Sequence, residues 1–314
     1  MKTVVAIGGN ALISPGGAGD ISDQFAHSRE VVKWVADLVE QGWQVTITHG
    51  NGPQVGNIMR RVEIASGEVY RIDLGLAVAD TQAGMGYMIA QTWMNELKHR
   101  GHDRVVVAIV TSCVVDQNDP AYHRPTKPIG PFLSQEKAEF HRDRDGWTII
   151  EDSGRGWRRV VPSPKPMRIV EMPTLVDMVK KGHLIVAGGG GGIPVIEDEK
   201  GELQGIEAVI DKDFTSAMIA AEVGADTLSL VTAVEHVCIN FGKPNQEPLH
   251  RVNVARMKEL IAEKQFPEGS MLPKVRAAID FIERSDRPDA RAVITSLTHL
   301  PAGLAGETGT TITR

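Results

Sequence analysis

The chain has 314 residues, of which 42% are hydrophobic and 24% are charged, and its net charge at pH 7 is −6. This composition is typical of an ordinary globular protein and argues against the basic proteins that bind nucleic acid or anionic membranes through charge. Neither nucleic acid nor a membrane is therefore expected as a partner.

The N-terminus and the cysteines predict the compartment. Met1 leads directly into a strand pattern, without the basic and apolar regions of a secretory signal. The longest apolar stretches are shorter than the ~20 residues that span a bilayer. Cys113 and Cys238 lie far apart and form no CxxC pair, which favours two free thiols in a reducing compartment. We expect a cytoplasmic protein.

Predicted strands and helices alternate along the chain. Apolar runs of strand length lie near residues 3–7, 43–48, 105–110, 183–187, 227–231, 236–240 and 291–295. Helical apolar periodicity covers residues 24–41, 79–98, 214–223, 253–264 and 273–284. Several strand runs are continuously apolar, as expected for strands that are buried on both faces. This order predicts an α/β fold with a mainly parallel central sheet and helices on both sides.

The stretch from 116 to 168 interrupts this alternation with prolines, charges and aromatic residues. Within it, residues 148–151 and 158–161 flank a glycine-containing turn and predict a hairpin. We interpret 116–168 as a small inserted subdomain that acts as a lid. Its basic cluster, made of Arg155, Arg158 and Arg159, favours a solvated face, with a lid arginine that reaches phosphate as the alternative.

Glycine-rich turns follow three of the predicted strands and are the strongest functional signal. Gly8-Gly9-Asn10 follows the first strand, Gly50-Asn51-Gly52 follows the second, and five glycines fill positions 188–192 after the strand near 183–187. Glycine lets backbone N–H groups approach an anion closely, and a helix that begins just beyond adds unpaired donors. Three such turns predict a crevice that holds phosphate or carboxylate oxygens.

Familiar catalytic motifs are absent. The single Gly-Lys pair, Gly242-Lys243, is followed by proline, which excludes a Walker A loop, and no frame of the 188–192 run completes GxGxxG. No zinc-ligand spacing and no GxSxG elbow is present. We interpret His49, just before the second glycine turn, as a core or turn histidine rather than a catalytic base.

Three lysines stand at turns marked by glycine or proline. Lys127 lies among prolines, Lys212 lies between Asp211 and Asp213, and Lys274 follows a predicted turn at 269–273. One such lysine is ordinarily a solvated charge, but three of them favour a ligand site beyond the carboxyl ends of the strands.

The two carboxylates beside Lys212 have two readings. Asp commonly caps helices, and it can also orient lysines or help to hold a divalent metal beside phosphates. We favour Asp211 as the functional carboxylate and Asp213 as the cap.

Taken together, these segments resemble the carbamate kinase branch of the amino acid kinase family. The matching segments are 6–12, 48–56, 127–130, 189–195, 208–213, 241–244, 269–274 and 306–310, in the same order along the chain. The resemblance implies one three-layer α/β/α domain over 1–314, a protruding subdomain, a homodimer, and Mg-ATP as cofactor. Other branches usually carry a lysine two residues before the first Gly-Gly. Here that position is Ala6, and the lysine of the insertion, Lys127, would supply the charge instead.

The resemblance also implies roles for residues. Gly8, Gly9, Asn10, Gly50, Asn51 and Gly52 would hold carbamate and the transferred phosphoryl group. Lys127 and Lys212 would contact phosphate oxygens, with Asp211 fixing their positions. The nucleotide site, in the C-terminal part from about 183 to 314, would include Gly190, Gly191, Lys212, Ala233, Val234, Lys243, Met271, Pro273 and Lys274. No residue is assigned as a metal ligand.

The expected reaction is reversible phosphoryl transfer between ATP and carbamate, giving ADP and carbamoyl phosphate. Carbamate is already an oxyanion, so alignment and charge neutralisation suffice without a general base. Two alternatives stay open: another acyl-phosphate-forming kinase of the same fold, and a nucleotide-binding sensor without catalysis. The pathway that supplies carbamoyl phosphate, arginine or purine breakdown, is also open.

Overall fold

The structure is a computed structural model that describes residues 1–8, 20–152, 154 and 156–314. Its helices are α1 Ile21–Glu40, α2 Gly52–Ile64, α3 Leu74–His99, α4 Gln135–Asp145, α5 Met172–Lys180, α6 Lys212–Glu222, α7 Val254–Ala262, α8 Met271–Arg284 and α9 Leu300–Ala305. Its strands are β1 Lys2–Ile7, β2 Gln44–His49, β3 Val106–Ala108, β4 Ser112–Val115, β5 Lys127–Leu133, β6 Thr148–Glu151, β7 Trp157–Val161, β8 Pro166–Ile169, β9 Leu184–Val186, β10 Ile193–Glu197, β11 Leu203–Gly205, β12 Thr227–Thr232, β13 Val237–Ile239, β14 Glu247–Leu249, β15 Arg251–Asn253, β16 Arg291–Ser296 and β17 Thr310–Thr313.

The central sheet has eight strands in the order β15-β17-β16-β12-β1-β2-β9-β3. The neighbouring strands β16, β12, β1, β2, β9 and β3 all pair parallel, and β17 pairs antiparallel with β16. Parallel neighbours bring the loops after β1, β2, β9 and β12 to one edge of the sheet, where α/β proteins bind ligands.

Each face of the sheet carries its own apolar core. Along β1, Val4 and Ala6 pack into the core that contains α5, α6 and α8, while Val5 and Ile7 pack into the core that contains α1, α3 and α9. Alternate residues of a strand point to opposite faces, so a strand that is apolar at every position is buried on both sides. The predicted three-layer α/β/α architecture is confirmed.

The predicted insertion contains a three-stranded sheet in the order β5-β7-β6, together with α4. The predicted hairpin is confirmed, because β6 and β7 pair antiparallel over Thr148–Glu151. The chain enters this region through β4 and leaves it through β8, and those two strands pair antiparallel in a separate four-stranded sheet. Helix α2 packs closely against β5: a Cβ on Gly56 would lie 1.9 Å from the Cα of Gly130.

The strand predicted at 236–240 exists but does not join the central sheet. It is β13, which pairs with β14 in a two-stranded sheet. Helix α4 has no counterpart among the predicted helices because its sequence is almost entirely charged, with only Ala138 and His141 buried. In the described part of the chain, no helix is both long and apolar enough to cross a membrane.

Candidate active site

The glycine turns meet at the carboxyl edge of the central sheet. Gly8 follows β1, the Gly50-Asn51-Gly52 turn joins β2 to α2, and Gly188 lies just after β9. The predicted convergence of these turns is therefore present for the residues that the structure describes. Two further predicted residues, Gly9 and Asn10, lie outside the described residues.

The three predicted lysines converge on two carboxylates at the N-terminus of α6. Lys127 Nζ, from β5 of the insertion, lies 2.7 Å from Asp211 Oδ2. Lys274 Nζ, from the first turn of α8, lies 2.9 Å from Asp213 Oδ2, and Lys212 Nζ contacts the other oxygen of Asp213. We call these five residues the lysine cluster. Its members come from three separate segments of the chain.

The electrostatics of the lysine cluster favour an anion. Burial, the largest effect, and repulsion from Lys274 together lower the pKa of Lys212 to about 8 against the attraction of Asp213. Burial opposes ionisation of Asp213, but Lys212 and Lys274 outweigh it and hold the pKa of Asp213 well below its usual range. Three ammonium groups against two carboxylates leave an excess positive charge in a largely buried setting, which an anionic ligand would neutralise.

The prediction for the two aspartates is wrong in one part. Asp211, not Asp213, caps helix α6, and its Oδ1 accepts a hydrogen bond of 3.0 Å from the backbone N–H of Asp213. Asp211 contacts Lys127 but not Lys212, whose partner is Asp213. The reason lies in helix geometry: the cap precedes the first turn, so the residue two places later points its side chain back towards Lys212 and Lys274.

His49 and Asn51 lie beneath the five-glycine loop. His49 is buried, and a Cβ on Gly189 would lie 2.5 Å from its Nε2. Burial lowers the pKa of His49 to about 4, with a further contribution from Lys212, so the ring is neutral at pH 7. Asn51 is buried as well and donates from Nδ2 to Thr81 Oγ1 at 2.8 Å. These contacts agree with the interpretation of His49 as a structural histidine.

The five-glycine loop needs glycine because its backbone is left-handed and closely packed. Gly190 and Gly191 have φ of 65° and 93°. A Cβ would lie 2.3 Å from the Asn51 side chain at Gly190, and 2.5 Å from the Ile210 carbonyl oxygen at Gly191. The loop therefore packs between the Asn51 turn and the segment before α6. The nucleotide contact predicted for these two glycines stays a prediction.

Several polar side chains that hold this loop were not identified from sequence. Gln82 in α3 donates from Nε2 to the Gly189 carbonyl at 2.7 Å, and Thr215 in α6 donates to the Gly191 carbonyl at 2.7 Å. Thr111 Oγ1 accepts from the Gly188 N–H at 3.0 Å. Gln82 carried a usable signal, because it is a long polar residue on a face of α3 that is mostly apolar.

The residues predicted to line a nucleotide pocket lie around the ends of β12 and the start of α8. Ala233 and Val234 directly follow β12, and Met271 and Pro273 lie in the first turn of α8 with Lys274. Lys243 is exposed in the turn between β13 and β14 and is not part of the lysine cluster. Of this group, Lys274 joins the lysine cluster, through its ion pair with Asp213.

The arginines of the insertion do not form a solvated face. The side chains of Arg158 and Arg159 are only 15% and 21% exposed. Arg158 donates to the Gly130 carbonyl at 2.8 Å, and the Arg159 guanidinium lies over the ring of Trp147 at 4.9 Å. The favoured interpretation is wrong for these two residues, because the aromatic side chains of the subdomain cover them. Arg155 lies outside the described residues.

A metal cage is not apparent in the described ranges 1–8, 20–152, 154 and 156–314. No group of three or more His, Cys, Asp or Glu side chains there is arranged to hold a metal ion. Asp211 and Asp213 already hold lysines.

Comparisons with known proteins agree with this geometry. The model of the amino acid kinase family matches residues 1–296. Carbamate kinase of Thermococcus kodakarensis is 47% identical over 317 residues, covering 100% of this chain and 99% of that protein. The carbamate kinase-like protein YahI of Escherichia coli is 45% identical over 316 residues, covering 98% of each. Carbamate kinase from Giardia lamblia bound to AMP-PNP superposes with a TM-score of 0.89 at 34% identity, covering 99% of this chain and 98% of that one. With matches of this extent, the chain belongs to the amino acid kinase family.

Proposed function

We propose that this protein is a carbamate kinase, which transfers a phosphoryl group reversibly between ATP and carbamate to give ADP and carbamoyl phosphate. The observation that carries the proposal is the lysine cluster, in which Lys127, Lys212 and Lys274 share Asp211 and Asp213 at the carboxyl edge of the sheet. Its excess positive charge suits a migrating phosphoryl group, because phosphoryl transfer is catalysed mainly by positioning and charge neutralisation.

The relatives support both the substrate and the nucleotide. Full-length relatives with 42–47% identity include carbamate kinases from Thermococcus kodakarensis, Clostridium perfringens and Pyrococcus furiosus. The Giardia lamblia carbamate kinase binds AMP-PNP, an ATP analogue. We therefore assign ATP and ADP as the nucleotides of this chain.

Each residue of the lysine cluster has a proposed role. Lys127, from the insertion, would contact the group in transfer, and its ion pair with Asp211 would fix its position. Lys212 would contact the transferred phosphoryl oxygens, and Lys274 would hold the nucleotide phosphates. We add Asp213 to the proposed functional residues, as the carboxylate that would orient Lys212 and Lys274.

The surrounding turns would bind the remaining parts of the substrates. Gly8, Gly50, Asn51 and Gly52, at the ends of β1 and β2, would hold carbamate and the phosphoryl group. The nucleotide would lie against Ala233, Val234, Lys243, Met271 and Pro273, with Gly190 and Gly191 near its phosphates.

No general base is needed in this mechanism. Carbamate carries its own negative charge, so its oxygen attacks phosphorus without losing a proton. The buried His49 is packed against Gly189 and would keep the glycine loop in place rather than transfer protons.

Mg²⁺ would enter with the nucleotide rather than occupy a protein site of its own. Mg²⁺ prefers six oxygen ligands, and the two carboxylates nearby are engaged by lysines. Phosphate oxygens would therefore supply most of its ligands, and the ion would neutralise part of the charge that they carry.

We also propose the organisation of the active protein. Residues 1–314 would form a single amino acid kinase domain, with 116–168 as a lid that carries Lys127 over the site. The protein would be cytoplasmic. It would form a homodimer, and sedimentation equilibrium can test that oligomeric state.

The deciding experiment measures ATP formation from ADP and acyl phosphates. The purified protein, with Mg²⁺, would be given carbamoyl phosphate, acetyl phosphate and N-acetylglutamyl phosphate in parallel. A clear preference for carbamoyl phosphate supports the proposal, and a preference for another acyl phosphate contradicts it. Nucleotide binding without any transfer would indicate a sensor.

A further inference from the structure

A cavity of about 340 Å³ lies between the insertion and helix α2. Its walls are formed by α2, β5, α4 and the start of the β6–β7 hairpin. None of the residues of the lysine cluster lines it. Because of this, the cavity is separate from the proposed site of phosphoryl transfer. Its volume is within the range of pockets that bind small molecules.

Most of the cavity wall is apolar. Met59 from α2, Leu133 from β5, and Phe140 and Trp147 from the α4 region contribute side chains. Trp147 has two ring contacts, with His141 stacked at 4.3 Å and with the Arg159 guanidinium at 4.9 Å. Such a wall suits an aromatic or branched hydrocarbon group.

The charged residues of the wall are predominantly cationic. Arg60, Lys137, Arg144 and Arg159 line the cavity, against the single carboxylate of Glu63. Glu63 is itself shared, because it lies 3.2 Å from Arg60 and 3.6 Å from Arg159. Arg144 is paired with Asp145 at 2.7 Å, and the excess of positive charge that remains on Arg60, Lys137 and Arg159 favours an anionic ligand.

Arg159 is the cation with the most unused hydrogen-bonding capacity. Its guanidinium offers five N–H donors, yet within the described part of the chain its carboxylate partner lies at 3.6 Å, beyond hydrogen-bond distance. The side chain is 21% exposed and lines the cavity. A planar guanidinium binds a carboxylate or a phosphate through two parallel hydrogen bonds, and the mainly apolar wall leaves room for the smaller, singly charged carboxylate rather than a phosphate.

We propose that this cavity binds a small organic carboxylate with an aromatic or branched apolar body, and that its occupancy changes turnover at the lysine cluster. The carboxylate would accept hydrogen bonds from Arg159, and the apolar body would pack against Met59, Leu133 and Phe140.

The two sites are connected by short, stiff segments. Helix α2 reaches the cavity at Gly56, one turn after the Gly50-Asn51-Gly52 loop, and β5 reaches it at Ile129, two residues after Lys127. A ligand that contacts both elements favours the arrangement in which Lys127 meets Asp211. A bound molecule that prefers one arrangement shifts the population towards it.

The test uses 4-phenylbutyrate as the probe and the full-length protein. Isothermal titration calorimetry should give saturable binding with one probe per chain, not displaced by carbamoyl phosphate or ADP, and the probe should change turnover. Arg159→Met should weaken binding about tenfold or more, because the charged hydrogen bonds are lost. Leu133→Trp fills the cavity while it leaves Arg159 in place, and should also remove binding. Arg168→Met, at an exposed arginine paired with Glu197, is the matched control and should bind normally.

The outcomes divide cleanly. The proposal is overturned if the probe shows no saturable binding or if both cavity variants bind it undiminished. It is also overturned if carbamoyl phosphate displaces the probe, or if the probe binds to the active enzyme without changing its turnover. The effect on turnover rests on the proposed function, whereas binding is measured separately from transfer. A protein that binds the probe but lacks carbamate kinase activity would therefore refute the proposed function and the effect on turnover, and would leave only the binding site intact.

Discussion

The most informative perturbation is Asp213→Asn, which removes one negative charge and keeps the shape of the side chain. Asp213 is buried and holds both Lys212 and Lys274, so its loss leaves two buried ammonium groups without their shared partner. Breaking a buried ion pair from one side costs about 3–5 kcal/mol of unfolding free energy. We expect a loss of that size at pH 7.

The pH dependence of this loss is set by Lys212. In the wild type, Lys212 has a pKa of about 8 in the folded protein. Without Asp213 that pKa falls, because the attraction that favours the charged form is gone. At pH values between the lowered pKa of Lys212 in the variant and 8, Lys212 is still protonated in the folded wild type but has already lost its proton in the folded variant. The stability difference between the two proteins should therefore shrink by about 1.4 kcal/mol for each pH unit on approaching 8, and then level off.

Urea unfolding of both proteins at several pH values between 6 and 9 measures this difference. The matched control is Glu283→Gln on α8, which breaks an exposed ion pair with Lys258 and should cost less than about 1 kcal/mol at every pH. A loss for Asp213→Asn that equals the control, or that stays constant from pH 6 to pH 9, would refute the reasoning.

Further predictions concern catalysis, packing and acid stability. Lys212→Ala should lower turnover about 10²–10³-fold with the circular dichroism spectrum unchanged, and near-normal turnover would remove Lys212 from the mechanism. Lys127→Ala should impair transfer while calorimetric ADP affinity is kept, and selective loss of ADP binding would contradict its assignment to the moving group. Gly56→Ala should lower the thermal midpoint, because its Cβ would lie 1.9 Å from the facing strand, whereas Gly84→Ala, with nothing within 4 Å in α3, should raise it slightly. The pKa of His49 is about 4 when folded and 6.5 when unfolded, so its neutral form stabilises the fold above pH 6.5. That contribution should fall by up to about 3 kcal/mol as the pH drops to 4, and unfolding curves in which His49→Gln shows the same acid loss would exclude it.

Periodicity alone was enough to predict the layered fold. The core strands β1 and β9 are apolar throughout residues 4–7 and 184–186, whereas β2 and β12 alternate apolar residues with buried threonine and serine. The helices between these strands carry clear apolar faces. Where periodicity is missing, prediction failed: helix α4 is charged on nearly every side and is held by its place in the insertion. The strand near 236–240 was found, but its sheet was not, because local sequence carries no information about the distant partner of a strand.

The residues that form the candidate site could be predicted better than the ion pairs that they make with each other. Glycine turns and turn lysines can be recognised locally, and Lys127, Lys212 and Lys274 do converge. Asp211 caps α6, and Asp213, two positions later, holds two lysines. The contact of Asp213 with Lys274 depends on the approach of α8 from a distant part of the chain, which local spacing does not encode.

The antiparallel pairing of β4 with β8 sets the two ends of the insertion side by side, with Val115 opposite Pro166. A segment whose ends already touch can be lengthened, shortened or exchanged with little entropic penalty to the body that carries it. In the proposed mechanism, an insertion joined in this way would supply the positive charge of Lys127 to the site of transfer. Position 6, inside β1, would then need no lysine, in agreement with the Ala6 found there.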